Sequence, residues 1–224
     1  MKIASIKSAA MVDVILPVLN EAPSIPWVLS RLPRDFHPIV VDNGSTDGSS
    51  EVARRLGAEV IVEPRRGFGA ACFAGLTAAA SDVVCFMDCD GSLDPAELQR
   101  VCGPVVADRA DVMVGFRVPE SGAWPLHSRI ANRILAWEVS RRTGVRFTDL
   151  GPMRAARRDS LLSLNLADRR SGWPLEMMLK AVAAGWRVGE VGVTYRARSA
   201  GRSKETGTLS GTLRAVKDMA ALLR

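Results

Sequence analysis

The sequence predicts an α/β fold: a doubly wound, mostly parallel sheet flanked by helices, in a single domain. Three observations predict it. Short β-branched runs alternate with stretches of helical spacing. A chain of 224 residues with 47% hydrophobic content suits one core of ordinary size. Polar clusters recur at the ends of the apolar runs, the edge at which such sheets bind ligands.

The first strand is read over residues 12–16, an apolar run broken only by Asp13. The second covers 39–41, the third 59–62, the fourth 83–87 and the fifth 111–115, each β-branched and flanked by turn residues. Helical spacing fills 24–32, 46–56, 68–80 and 94–107 between them. Ser45 or Thr46 is placed to cap the second helix, and Asp94 caps the fourth with Pro95 at its first position. Residues 127–142 and 205–223 also read as helices. The last sets Leu209, Leu213, Val216, Ala220 and Leu223 on one face beside Arg214 and Lys217, for packing on the domain or lying on a membrane surface. Residues 1–11 form an N-terminal extension, 12–204 the domain, and 205–224 a C-terminal amphipathic helix.

Net charge is +6 and the isoelectric point about 9.6, which favours anionic partners. Nucleic acid is excluded, because no recognition motif accompanies the arginines and aromatic content is only 5%. Cys72, Cys85, Cys89 and Cys102 show no CxxC pairing and read as core thiols in a reducing cytosol. Residues 1–11 are too poor in apolar side chains for a signal peptide, and no apolar run reaches the roughly 18 residues of a membrane span. The expectation is a cytoplasmic chain with peripheral contact at the inner face of a membrane.

The stretch VVCFMDCDGSLD (83–94) runs an apolar strand into Asp88 and Asp90. In extended chain these two project to one side, and like charges so close call for a cation, a shared proton or open water. An EF-hand fails, since Ser92, Leu93 and Gln99 stand where a third acid, a glycine and a glutamate are required. The opening motif of haloacid-dehalogenase phosphatases fits Asp88, Asp90, Gly91, Ser92 and Leu93 better. A metal-binding Asp-x-Asp of nucleotide-sugar enzymes fits as well. Further polar clusters end the first three strands: PVLNE (17–21), DNGSTD (42–47) and PRRGFG (64–69). Gly67 and Gly69 are only a fragment of a dinucleotide fingerprint, because Cys72 holds the third glycine position; their better use is close approach of backbone to a phosphate or ribose.

In order and spacing, PVLNE (17–21), VDNGSTD (41–47), RGFGAA (66–71) and MDCD (87–90) resemble the successive motifs of glycosyltransferase family 2, with its GT-A fold. GFR (115–117), TDLGPMR (148–154), Glu176 within WPLEMMLKA, and Arg198, Gly201, Ser203 and Lys204 are similar to the branch of dolichyl- and polyprenyl-phosphate mannose and glucose synthases. The resemblance covers roughly residues 12 to 204. It implies an inverting transfer of a hexose from a nucleotide-diphosphate sugar, of the GDP-mannose or UDP-glucose type, to a polyprenyl phosphate, or alternatively to a soluble acceptor. It also implies a nucleotide-binding half over 12–116 and an acceptor half over 117–204.

The implied site follows residue by residue. Asp88 and Asp90 hold Mg²⁺ or Mn²⁺ under the diphosphate, with Asp90 and Asp149 as the catalytic pair. Pro17, Asn20, Glu21, Asp42, Gly67, Gly69 and Asp88 bind the donor, and Arg117, Arg129, Arg202 and Lys204 the acceptor phosphate. Arg154, Arg196 and Arg198 ring the same side. A lipid phosphate needs no strong base, whereas an alcohol acceptor requires Asp149 or Glu176; Glu176 reads equally as a buried ion-pair partner. The phosphatase loses ground here, since three βα units precede Asp88. The chain departs from the family pattern at Asn43, often an acid, at Ser92, and at Leu150, Gly151 and Pro152. His37 and His127 have no partner at metal or triad spacing.

Overall fold

A computed structural model describes residues 12–198; the extension 1–11, Arg202, Lys204 and the helix expected over 205–223 lie outside the described residues. β1 (Val12–Val18), α1 (Ile25–Ser30), β2 (Phe36–Asp42), α2 (Ser49–Arg55), β3 (Glu59–Val62), α3 (Phe68–Ala78) and β4 (Val83–Phe86) follow the expected alternation. A 3-10 turn at Pro95–Glu97 leads into α4 (Leu98–Val106) and β5 (Val112–Pro119). The remainder is α5 (Leu126–Thr143), β6 (Met153–Arg157), α6 (Arg158–Ser163), α7 (Trp173–Ala183) and β7 (Val188–Tyr195).

The strands form one sheet in the order β3-β2-β1-β4-β6-β5-β7. β1 is central to the first half, with Ile15 paired to Ile39 on one side and to Phe86 on the other, both in parallel. β6 runs antiparallel between β4 and β5, Arg154 lying opposite both Phe86 and Val114. The other six strands therefore point the same way. Their carboxyl ends share one edge with the start of β6, so the loop carrying Asp149 opens there beside the loops after β1, β2 and β4.

β1 is buried on both faces, which is why it reads as a nearly unbroken apolar run. Val14 and Leu16 join Leu98, Val101 and Val105 of α4 in one cluster. Ile15 joins Val41, Phe86, Leu76 of α3 and Trp173 of α7 in the other. Each such side chain stabilises the fold by about 1.5–3 kcal/mol. Trp173 meets Phe73 and Phe86 edge-on, both at 6.2 Å between ring centroids. All four cysteines are buried and none forms a disulfide.

Two local expectations differ in outcome. Asp94 caps its turn, accepting the Ala96 N–H at 3.1 Å. The second helix begins later than expected, at Ser49 behind Gly48, whose φ of 84° is left-handed. Ser45 and Thr46 leave the cap because Asn20 binds them instead: Ser45 Oγ accepts the Asn20 N–H at 2.9 Å and Thr46 N–H donates to Asn20 Oδ1 at 2.7 Å.

At the opposite edge of the sheet, buried Asp13 accepts the N–H groups of Ala80 and Ser81 at 2.7 and 2.8 Å and faces His37 Nδ1 at 3.1 Å. Burial pushes its carboxyl up, but these hydrogen bonds outweigh it and hold the group below its ordinary 3.8. The contribution is fully present above 3.8 and is lost as pH falls through the lower folded value. Asp13→Asn is expected to cost about 1–3 kcal/mol at neutral pH. Urea titrations across the acid range should show the gap to wild type closing below the ordinary carboxylate range.

Candidate active site

The loops after β1 and β2 are knitted together by side chains that satisfy backbone groups. Besides the Asn20 contacts, Glu21 N–H donates to Ser49 Oγ at 3.0 Å and Ala22 N–H to Asp47 Oδ2 at 3.0 Å. Asp42 has both oxygens in use. Its Oδ1 accepts the N–H groups of Gly44 and Ser45 at 3.0 and 2.7 Å, and its Oδ2 accepts the Ser50 hydroxyl. Burial pushes Asp42 up, yet these donors hold it below the usual carboxylate range. Asn43 donates its amide to the carbonyls of Glu63 and Arg65 at 2.9 and 2.8 Å and accepts the Gly67 N–H at 2.8 Å. An aspartate could not make the two donations, which gives this departure from the family pattern a physical reason.

Asp90 is buried, with Oδ1 accepting the Ser92 N–H at 2.8 Å. Its Oδ2 lies 2.7 Å from Arg198 Nε, and Arg198 also reaches Glu21 Oε1 at 3.5 Å. Cys89 turns inward, its carbonyl accepting the Ser24 hydroxyl at 2.6 Å, which ties the β4 loop to the β1 loop. Burial pushes the Cys89 thiol well up, and the charges of Asp90, Glu21 and Asp88 push it further, so it stays an inert thiol. Leu93 bridges to Tyr195 and the Ser92 carbonyl accepts the Arg196 N–H at 2.8 Å. This short pairing delivers Arg198 to the acids.

The basic side of the site is built on Asp149. Its Oδ2 accepts the Arg117 backbone N–H at 2.9 Å and Nε at 2.8 Å, while Oδ1 takes Nη2 at 2.7 Å. The guanidinium also stacks 3.8 Å from the Trp124 ring centroid and 5.5 Å from that of Tyr195. Gly151 permits this approach, because a Cβ there would sit 1.9 Å from the Gly115 carbonyl oxygen. Burial works against the charge of Arg117, but Asp149 overcomes it and raises the group. Arg154 is fully buried behind them and lowered by burial to about 10, with Asp149 and Asp88 opposing. Its Nη2 donates to the Leu150 carbonyl, and its Nε has no hydrogen-bond partner among the described residues. Asp88 acts electrostatically on Arg117, Arg154 and Tyr195, and Asp90 on Tyr195. Acids and arginines thus share one site.

Several expected roles change on this geometry. Gly67 and Gly69 closely approach the chain's own backbone. A Cβ on Gly67 would lie 2.1 Å from the Arg169 carbonyl oxygen, and one on Gly69 2.8 Å from that of Asp168. The first N–H groups of α3 go to the same loop, Gly69 to the Arg170 carbonyl at 3.0 Å and Ala70 to that of Arg169 at 2.9 Å. Arg154 lies beneath the site and does not ring it, and Arg196 is engaged by Asp94 and Glu120 at 3.4 and 3.2 Å. Glu176 is buried, bonded to the N–H groups of Ala167 and Asp168 at 2.9 and 2.7 Å and paired with Lys180 at 2.9 Å. Pro17 is half-buried in β1, and Arg129 is exposed in the first turn of α5. Trp124, Asn132 and Tyr195 were not legible as site residues; Tyr195 is the chain's single tyrosine, which was the one available signal.

A sequence profile for Glycosyl transferase family 2 matches residues 13–162. The chain belongs to glycosyl transferase family 2. It is 44% identical over 208 residues to an uncharacterised glycosyltransferase of Mycobacterium tuberculosis, covering 92% of this chain and 95% of that one. It is 33% identical over 221 residues to an undecaprenyl-phosphate mannosyltransferase of Micrococcus luteus, covering 88% of each. Glucosyl-3-phosphoglycerate synthase of Mycobacterium tuberculosis, solved with Mn²⁺, UDP and glucosyl-3-phosphoglycerate, superposes with a TM-score of 0.76 at 22% identity. That match covers 96% of this chain and 78% of the other. The fold is GT-A, and the family membership removes the phosphatase reading of Asp88.

Two outcomes follow for this family 2 site. Asn43→Asp is expected to destabilise the chain by about 1–3 kcal/mol, since the Glu63 and Arg65 carbonyls lose their donor and meet a carboxylate instead; urea denaturation checks it. Asp149→Asn leaves the largely buried Arg117 charge without its carboxylate and should cost about 3–5 kcal/mol in the same measurement.

Proposed function

We propose that this family 2 glycosyltransferase moves one hexose, with inversion, from a nucleotide-diphosphate sugar of the GDP-mannose or UDP-glucose type to a polyprenyl phosphate. The observation that carries the acceptor is the state of the carboxylates. Asp149 spends both oxygens on Arg117, and Glu176 spends both on the backbone of Ala167 and Asp168. These engagements with the protein's own donors disfavour either as the base for an alcohol. A phosphate monoester is already an anion at neutral pH and needs no base, and the arginines beside the acids suit its charge. The similarity to an undecaprenyl-phosphate mannosyltransferase supports the same reading.

In this reading the donor lies along Pro17, Asn20, Glu21 and Asp42, with its diphosphate at Asp88 and Asp90. Among the described residues no cluster of three His, Cys, Asp or Glu side chains is placed to hold a metal. A pair of carboxylates fits Mg²⁺ or Mn²⁺, ions that complete their shell with substrate phosphates and water. Bound there, the ion would neutralise charge growing on the departing diphosphate. Arg117 positions the acceptor phosphate, Asp149 fixes Arg117, and Arg198 balances the acid pair. Arg129, Arg202 and Lys204 complete the acceptor side of the proposal, and the enzyme acts as a peripheral protein on the cytoplasmic face of a membrane. A soluble acceptor is the second reading, supported by the fold likeness to glucosyl-3-phosphoglycerate synthase.

With Mn²⁺ present, GDP-mannose or UDP-glucose should raise the melting temperature, and excess EDTA should abolish the shift. Asp90→Asn should remain folded by circular dichroism but lose transfer. Radiolabelled hexose from the stabilising donor should enter the organic phase with polyprenyl phosphate. Label that appears only in a water-soluble product, with an alcohol or phosphoglycerate acceptor, overturns the lipid reading.

A further inference from the structure

The outer face of α5 is apolar and exposed. Leu126, Ile130, Ile134 and Trp137, at spacings of four, four and three, are 70%, 51%, 61% and 62% exposed. That spacing keeps them in one stripe along the helix. Among the described residues eight large hydrophobic side chains are exposed, and half lie on this one helix. The opposite face does the packing: Ala136 and Val139 are in the core, and Asn132 Oδ1 accepts from Arg117 Nη2 at 3.2 Å. Among the described residues, packing of α5 on the domain therefore does not account for the stripe.

Charge selects the partner. Arg129 and Arg133 are exposed on the same helix. Arg141 lies 6.0 Å from the Trp137 ring centroid, and with Arg142 it pairs with Glu138, the helix's one acid. Four arginines against one glutamate border an apolar stripe ending in a tryptophan, the composition of a helix that lies in a headgroup layer.

We propose that α5 is a docking surface for an anionic phospholipid bilayer, with Leu126, Ile130, Ile134 and Trp137 entering the headgroup layer and the flanking arginines meeting lipid phosphates. A second copy of the chain fits less well, because it would set arginine-bordered faces against each other. Residues 199–224 also fail to complement the charge of the face. They carry Arg202, Lys204, Arg214, Lys217 and Arg224 against only Glu205 and Asp218. Docking in this way would leave the Arg117 cluster about one helix diameter, roughly 10 Å, from the headgroups. The inference rests on the α5 surface alone and is tested without donor or acceptor, so it stands or falls separately from the lipid-acceptor reading.

The test is co-sedimentation of the 224-residue chain with phosphatidylcholine vesicles containing about 30% phosphatidylglycerol, compared with pure phosphatidylcholine. Wild type should bind the anionic vesicles and be released by high salt. Ile130→Asp/Ile134→Asp, at exposed positions, should lower partitioning by about tenfold or more with an unchanged circular dichroism spectrum. Brominated lipid provides a second measurement on a natively packed chain: quenching of tryptophan emission should be seen in wild type and largely lost in Trp137→Phe. The proposal is overturned if wild type ignores anionic vesicles, or if the double variant binds them as well as wild type. It is also overturned if quenching is the same in Trp137→Phe, or if sedimentation shows a wild-type dimer that the double variant breaks.

Discussion

Where parallel strands stop, their backbone N–H groups lose ladder partners, and in this chain the loops after β1, β2 and β4 must satisfy those groups with side-chain oxygens. Asn20, Asp42, Asp47 and Asp90 do this work, each accepting from backbone N–H groups within about 3 Å. Ser24 then couples the first loop to the fourth through the Cys89 carbonyl. The same residues that make the loops stable make them polar and preorganised. The polar edge at which we propose the donor binds is thus assembled from groups the fold already requires.

The second constraint is the reversed strand. Because β6 enters between β4 and β5 antiparallel, the chain before it must return to the carboxyl edge, and that return carries Asp149 onto Arg117. Burying a bidentate pair is costly unless both partners are hydrogen-bonded, and here the Arg117 backbone N–H adds a third bond to the same carboxylate. Trp124 and Tyr195 cover the guanidinium and keep it aimed. A fixed arginine within electrostatic reach of Asp88 gives the site opposite charges side by side.

α5 joins this chemistry to the surface. Its inner face meets Arg117 through Asn132, and its outer face carries the exposed stripe. A helix with apolar side chains on both sides shows little amphipathic periodicity, which is why its outer face is inconspicuous in the sequence.

The alternation of β-branched runs and helices determined the α/β fold as far as β5, because buried strands advertise themselves as continuous apolar segments. The motifs at strand ends were legible for a similar reason, since Asp88, Asp90, Asp42 and Glu21 are close to their own strands. β6 was not legible: its Met153–Arg157 segment has no β-branched residue, and it becomes a strand only because β4 and β5 present edges to it. The family resemblance placed Asp42 and Asp149 as groups for a ligand or proton and gave Gly67 and Gly69 to the nucleotide, while Glu176 read equally as a base and as a buried ion-pair partner. Tertiary structure gave all five internal partners, for a hydrogen bond depends on which backbone lies opposite. That was decided by contacts between residues as far apart in sequence as Gly67 and Arg169, or Asp90 and Arg198.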